Sequence, residues 1–145
     1  MDFLTAMKIS SSGLNVQRRR MEAIASNLAN METTRTPEGG PYRKKSVVVS
    51  ALPMEDDFAS TLKSEFGEQL NLALVTQVIQ DQSEPKSVYN PSHPDANKDG
   101  YVLMPNINTI GEMVDMVTTT RSFEANVTAM NATKSMALRA IELGR

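Results

Sequence analysis

Cysteine and tryptophan are absent from the 145 residues, histidine occurs once, and phenylalanine and tyrosine together make up 5 %. Without cysteine there can be no disulfide, thiolate nucleophile or thiolate-bound zinc. So few aromatics leave few bulky anchors for a large core. The lone His93 lies between Ser92 and Pro94 with no second imidazole, and reads as a surface-loop residue rather than a ligand or general base. Charge of one sign is also missing. The net charge of −2 is spread over mixed acids and bases, so no broad field attracts nucleic acid or an acidic membrane. Nor is there a long apolar run. Met1-Asp2-Phe3 opens neither a cleaved signal nor a membrane span, so any export uses another route. No glycine-rich phosphate loop or serine–histidine–acid set can be assembled, and no catalytic or cofactor-binding residue is expected.

What is present is helical at both ends. Met7, Leu14, Met21 and Leu28 recur every seven residues, and Phe3, Ile24 and Met31 fill the same stripe. With Asp2 as cap and Pro37, Gly39, Gly40 and Pro41 barring continuation, a helix is predicted over about 3–31. Ser10-Ser11-Ser12-Gly13 is its weak point. At the other end Ile107, Ile110, Val114, Val117, Phe123, Val127, Met130, Ala137 and Ile141 step by threes and fours. Thr109 and Glu112 have capping-box spacing, so a second helix is predicted over about 108–143.

Between them, Ser46–Leu52, Leu70–Gln80, Pro85–Tyr89 and Tyr101–Met104 read as short strands bounded by turn residues. Pro53–Gly67 is polar and fits either a loop or a short helix. The predicted class is α+β: long terminal helices packed as an antiparallel, coiled-coil-like pair around a small central β module. The boundaries are residues 1–36, 37–105 and 106–145.

Each helix also carries a second stripe. Ile9, Val16 and Ala23 lie nearly opposite the first helix's main stripe, at ~100° per residue. Ala125, Ala129, Ala132, Met136, Ala140 and Leu143 do the same on the second. A lone helix pair buries one face of each, so the other face implies further partners, unless the alanines are simply good helix formers on a solvated face. The helices alone look marginal, and both ends are expected to be largely disordered in the free monomer and to fold on assembly. Seven of the ten methionines fall in them, suiting adaptable packing or plain core filling.

Asp95, Asn97, Asp99 and Gly100 match the first half of an EF-hand loop, but Asn106 replaces the bidentate glutamate and Pro91, Pro94 and Pro105 flank the loop. They form a weak candidate metal turn, with a plain turn into the strand at Tyr101 as the other reading. Arg18-Arg19-Arg20 fans around the helix, and Arg43-Lys44-Lys45 is short; both read as sources of surface ion pairs. Asn126-Val127-Thr128 and Asn131-Ala132-Thr133 match glycosylation acceptors but sit on a packed helix with no secretory signal.

Ser12-Gly13-Leu14-Asn15-Val16-Gln17, Met21 with Ala25-Ser26-Asn27-Leu28-Ala29-Asn30, and Thr33-Thr34 resemble the N-terminal signature of bacterial flagellar rod and hook proteins. Pro41-Tyr42-Arg43, Asn90-Pro91, Gly100-Tyr101-Val102, Pro105-Asn106 and the stretch 112–126 narrow the resemblance to its proximal-rod members. It covers roughly 3–46 and 84–143. It implies a structural, non-enzymatic subunit of the basal-body rod in the periplasm, exported without a cleaved signal by the flagellar type III apparatus. Such subunits assemble through terminal helices into a helical tube that transmits torque from motor to hook and leaves a central export channel. Implied partners are further copies, related rod proteins, and basal-body ring and export-gate adaptor proteins, with no nucleic acid and no direct membrane span.

The residues expected to pack subunits together are Met7, Leu14, Gln17, Met21, Ile24, Asn27, Leu28 and Asn30 at the N-terminal end. At the C-terminal end they are Ile110, Met113, Val114, Val117, Arg121, Phe123, Asn126, Val127, Met130, Met136 and Ile141. The alternative is a small calcium-binding or adaptor module that uses its helices for self-association.

Overall fold

A computed structural model describes residues 3–53 and 71–144. The elements are α1 (Phe3–Ala29), β1 (Lys45–Pro53), β2 (Asn71–Gln80), β3 (Lys86–Tyr89), β4 (Tyr101–Met104) and α2 (Thr109–Leu143), an α+β architecture. The proposed cap Asp2, and most of the segment that fitted either loop or helix, lie outside the described residues.

α1 runs unbroken through Ser10–Gly13. The Ser12 hydroxyl donates to Ile9 O at 2.8 Å, and a Cβ on Gly13 would stand 3.2 Å from Asn126 Nδ2, so the glycine marks a close approach of α2. The helix stops at Ala29, two residues before the expected end. Asn30 turns its side-chain amide onto Ser26 O (2.9 Å) and accepts the Thr33 hydroxyl (3.2 Å), a local network that competes with helical propagation. Met31 therefore lies in the following turn, where its sulfur receives the Thr109 hydroxyl. Gly39 and Gly40, both at positive φ, close the next turn between Thr36 and Gly40.

α2 begins one residue after the expected start, and its cap differs from the predicted box. Asn108 is the N-cap: its Oδ1 accepts Gly111 N (3.3 Å) and its carbonyl accepts Glu112 N (2.9 Å). Glu112 lies one position too far along to reach back, and its carboxylate points inward instead.

The four strands form two separate two-stranded sheets, β1–β2 and β3–β4. β3 and β4 are antiparallel, with Val88 opposite Val102 and Tyr89 opposite Tyr101. Alternation sends Val102 inside and Tyr89 and Tyr101 outside, where their rings meet edge to face at 5.3 Å. Gly100, at φ +80°, makes the turn into β4 where a Cβ would press on the Tyr89 ring at 2.9 Å.

Contacts divide the chain into two compact units. One comprises the described parts of Met1–Arg19, Val48–Gln77 and Thr120–Arg145; the other is Arg20–Val47 with Val78–Thr119. In the first, Val16 is the one buried residue among those described. The second holds Asn27, Tyr42, Gly100, Val102, Pro105, Glu112 and Thr119 inside. There Asn27 meets Glu112 while Met31 meets Thr109, so the two helical ends run antiparallel.

Candidate functional site

The second unit centres on a buried amide. Asn27, with 0 % of its surface exposed, uses all its hydrogen-bonding capacity. Its Nδ2 donates to Lys45 O (3.0 Å) and to Glu112 Oε2 (2.9 Å). Its Oδ1 accepts Lys45 N (2.8 Å) and the Tyr42 hydroxyl (3.1 Å), and Ser26 Oγ lies 2.9 Å from the same hydroxyl. Lys45 N can only donate and Lys45 O can only accept, so one orientation of the amide satisfies both. The side chain thus brackets the first residue of β1 as a neighbouring strand would.

Glu112, 2 % exposed, completes the cluster: its Oε1 lies 2.6 Å from Lys44 Nζ. A carboxylate taken out of water costs several kcal/mol unless it is paired and hydrogen-bonded. Here one oxygen has the ammonium and the other the amide. Lys44 was expected to form a surface ion pair; only its own end reaches solvent, and its partner is interior. Lys45 extends its ammonium over the Tyr42 ring at 5.7 Å from the centroid.

With Glu112 inward, the apolar face of this part of α2 turns outward. Ile110, Val114 and Val117 are 76 %, 59 % and 52 % exposed, and Met113 beside them is exposed too. Thr119 shares the inner face and satisfies its hydroxyl on Asp115 O at 2.7 Å. Glu112 and Thr119 are thus inside, beside half-buried Met116, while Ile110, Val114 and Val117 are outside with Asp115 and Thr118, an unusual division for a surface helix.

This corrects the single stripe expected from Ile110 to Ile141. Phe123, Val127, Met130 and Ala137 are half-buried, whereas Ile110, Val114, Val117 and Ile141 are exposed. The six residues from Val117 to Phe123 turn the helix through ~600°, which moves the apolar row to another face. The second stripe is exposed throughout, with Ala125, Ala129, Ala132, Met136, Ala140 and Leu143 at the surface.

α1 behaves otherwise. Leu4 is its one exposed large apolar residue among those described, and Val16, from the stripe thought to need outside partners, is buried. The chain's own strands approach this helix: Ala73 N donates to Ser12 Oγ (3.3 Å) in the first unit, and Asn27 holds Lys45 in the second. Met7, Leu14, Gln17, Met21, Ile24, Leu28 and Asn30 are half-buried, as is Asn126, while Met113, Arg121 and Met136 are exposed. Asn27, expected to pack subunits together, has no exposed surface in the free chain and spends its bonds on Lys45, Tyr42 and Glu112 of the same chain. An open groove in the first unit is lined by Met7, Leu14, Leu72, Phe123 and Met130 together with Lys8 and Arg18. Elsewhere on α1 the Gln17 side-chain oxygen is buried without a hydrogen-bond partner.

The Asp95–Gly100 segment is closed by its own bonds. Asn97 Oδ1 accepts Asp99 N (3.0 Å) and Tyr101 N (2.8 Å), and Asp95 Oδ2 accepts the Thr34 hydroxyl (2.7 Å). His93 Nδ1 accepts Asp95 N. Among the described residues no three potential ligands gather in one place, and no helix is long and apolar enough to cross a membrane.

Tyr42, Lys44 and Glu112 were not identified as a site from the sequence. An acid repeating in phase with a threonine opposite an apolar stripe is the pattern of a solvated face, so nothing marked these residues as interior.

Comparison with known proteins is consistent along the chain. The family model for flagella basal body rod proteins matches residues 7–35, and that for the C-terminal part of the flagellar basal body rod FlgEFG proteins matches 98–143. The flagellar basal-body rod protein FlgC of Bacillus subtilis is 46 % identical, over 97 % of both chains. Its counterpart in Salmonella typhimurium is 38 % identical over the whole of both. That of Borreliella burgdorferi is 36 % identical over 94 % of this chain and 93 % of its own.

Proposed function

The chain belongs to the FlgC family of flagellar basal-body rod proteins, and we propose that it is a non-catalytic structural subunit of that rod, packing through the outer face of α2. The observation that carries this is the row Ile110, Met113, Val114 and Val117, exposed beside a core that buries a glutamate. Aliphatic side chains left in water while a carboxylate is interior make sense where another chain covers them. Copies of this chain and related rod proteins are the neighbours. Heterologous contacts that do not close on themselves generate a helical tube. Helices interlocked in that tube carry torque from motor to hook around a central export channel.

The rod lies in the periplasm, reached through the flagellar type III apparatus without a cleaved signal, and its base meets ring and export-gate adaptor proteins. The sparse interior of the first unit supports ends that become rigid only on arrival. Amide exchange on the free chain is expected to show little protection at 3–19 and 120–144 and clear protection around Asn27 and Glu112. Strong protection at both ends would contradict this. The calcium-binding or adaptor alternative gains nothing from the relatives, and Asn97 Oδ1 and one Asp95 oxygen, Oδ2, already accept hydrogen bonds.

In a strain lacking its own FlgC, a chain shortened by residues 132–145 is expected to be absent from purified basal bodies and to leave cells non-motile. That segment carries exposed Met136, Leu138, Ile141 and Leu143 and adds nothing to the buried core. Swimming supported by the shortened chain would overturn the assembly reading of this end.

A further inference from the structure

We propose that Asn27, Glu112 and Lys44 form an orientation lock that holds the apolar face of α2 outward in the free chain. The inference rests on the rod reading for its purpose but concerns the free chain for its mechanism. On the helix, Ile110, Val114 and Val117 lie about 140–160° from Glu112, nearly opposite it. Apolar burial acting alone would roll this segment so that those three side chains face α1 and the carboxylate faces water. In the structure the opposite face is inside, so something must resist the roll.

Glu112 is suited to do so because it is tied at both oxygens to two other segments: Asn27 on α1 and Lys44 just ahead of β1. One tie would let the helix pivot about it, whereas two from different directions fix its rotation. The Asn27 tie is buried at both ends and the Lys44 tie at its carboxylate end, so water cannot replace the bond between amide and carboxylate as the helix turns. Rolling would leave a fully enclosed Asn27 Nδ2 with one acceptor fewer. Glu112 stands in the first turn of α2, immediately after the Asn108 cap, where the rotation of the whole segment is set. Buried ionic groups often add little stability compared with apolar replacements, and fixing one arrangement among alternatives is a use they serve well.

The absence of cysteine makes the test direct. In the full-length chain, Val114→Cys and Thr119→Cys are introduced singly and their maleimide reaction rates measured. In the parent background Val114→Cys is expected to react at least ~10-fold faster, since Thr119 is protected by structure. Adding Glu112→Ala is expected to reverse the order, shielding position 114 and exposing 119. Glu112→Gln, which keeps the acceptor for Asn27 but turns a donor toward the Lys44 ammonium, leaves a single tie and is expected to bring the two rates closer together without reversing their order. Three results would each overturn the lock: equal rates in the parent, an unchanged order in Glu112→Ala, or both positions equally fast there, which is melting and not rotation. None bears on rod entry, so failure of the lock and failure of the rod reading are read separately.

Discussion

Asn27→Ala is expected to destabilise the second unit by roughly 3–5 kcal/mol, the range for breaking a buried polar cluster that includes a charge. Four hydrogen bonds disappear, to Lys45 N, Lys45 O, the Tyr42 hydroxyl and Glu112. A neutral bond contributes about 1 kcal/mol net and one to a charged group about 1.5–3, while each partner left buried and unsatisfied adds its own desolvation cost. Smaller losses would mean that water enters the site and takes over the bonds. Chemical denaturation of the purified chain measures the change, and early loss of amide protection at Lys45 identifies its place. Asn27→Asp is expected to be about as damaging despite its similar shape. It keeps an acceptor for Lys45 N and Tyr42 but loses the donors to Lys45 O and Glu112, and it sets a second carboxylate against the first. An unfolding midpoint unchanged in both variants would show that the bracket does not hold β1 to α1.

Val114→Asp is expected to do the reverse: almost nothing to the free chain and nearly everything to assembly. The side chain is largely exposed, so the stability of the monomer should move by no more than about 0.5 kcal/mol. In the proposed rod packing the same face is covered, and an unpaired carboxylate there would cost several kcal/mol at every copy. Even the few hot-spot positions at an interface centre lose about 2 kcal/mol or more on truncation alone, and a buried charge is the harsher change. In a strain lacking its own FlgC, the variant chain should be present at normal levels yet missing from basal bodies, and cells should not swim. Normal swimming would place this face outside the subunit contacts. The contrast with Asn27→Ala separates the two requirements, one for folding the chain and one for joining it to others.

Read together, the two sites explain an otherwise uneconomical arrangement. A monomer optimised for its own stability would bury Ile110, Val114 and Val117 and leave Glu112 in water. On the proposed packing, this chain forgoes that burial until neighbours supply it. The cost is limited because each buried polar atom in the cluster is matched: Asn27 uses every donor and acceptor it has, and Glu112 faces a cation and an amide. Threonines along α2 follow the same logic, with Thr118, Thr119, Thr128 and Thr133 returning their hydroxyls to carbonyls four residues earlier.

The sequence by itself determined the elements and the class of function. Periodicity and the proline and glycine breaks placed the helices to within about two residues of their ends, and valine-rich runs between turn residues located the four strands. The short motifs around Asn27 and along 112–126 pointed to the rod family, which the relatives then bore out. The tertiary structure alone decided which face of α2 is inside, that Val16 is buried, and that β1 and β2 hydrogen-bond to α1 through Asn27 and Ser12. Periodicity reports the angle at which a side chain leaves a helix but not what stands opposite it. Glu112 meets a residue 85 positions away and a lysine from a third segment, so its burial is set by partners that no local pattern contains. The same distance hid Asn27's role: from the sequence it belonged to a motif for joining subunits, and in the fold it is the residue around which one subunit is built.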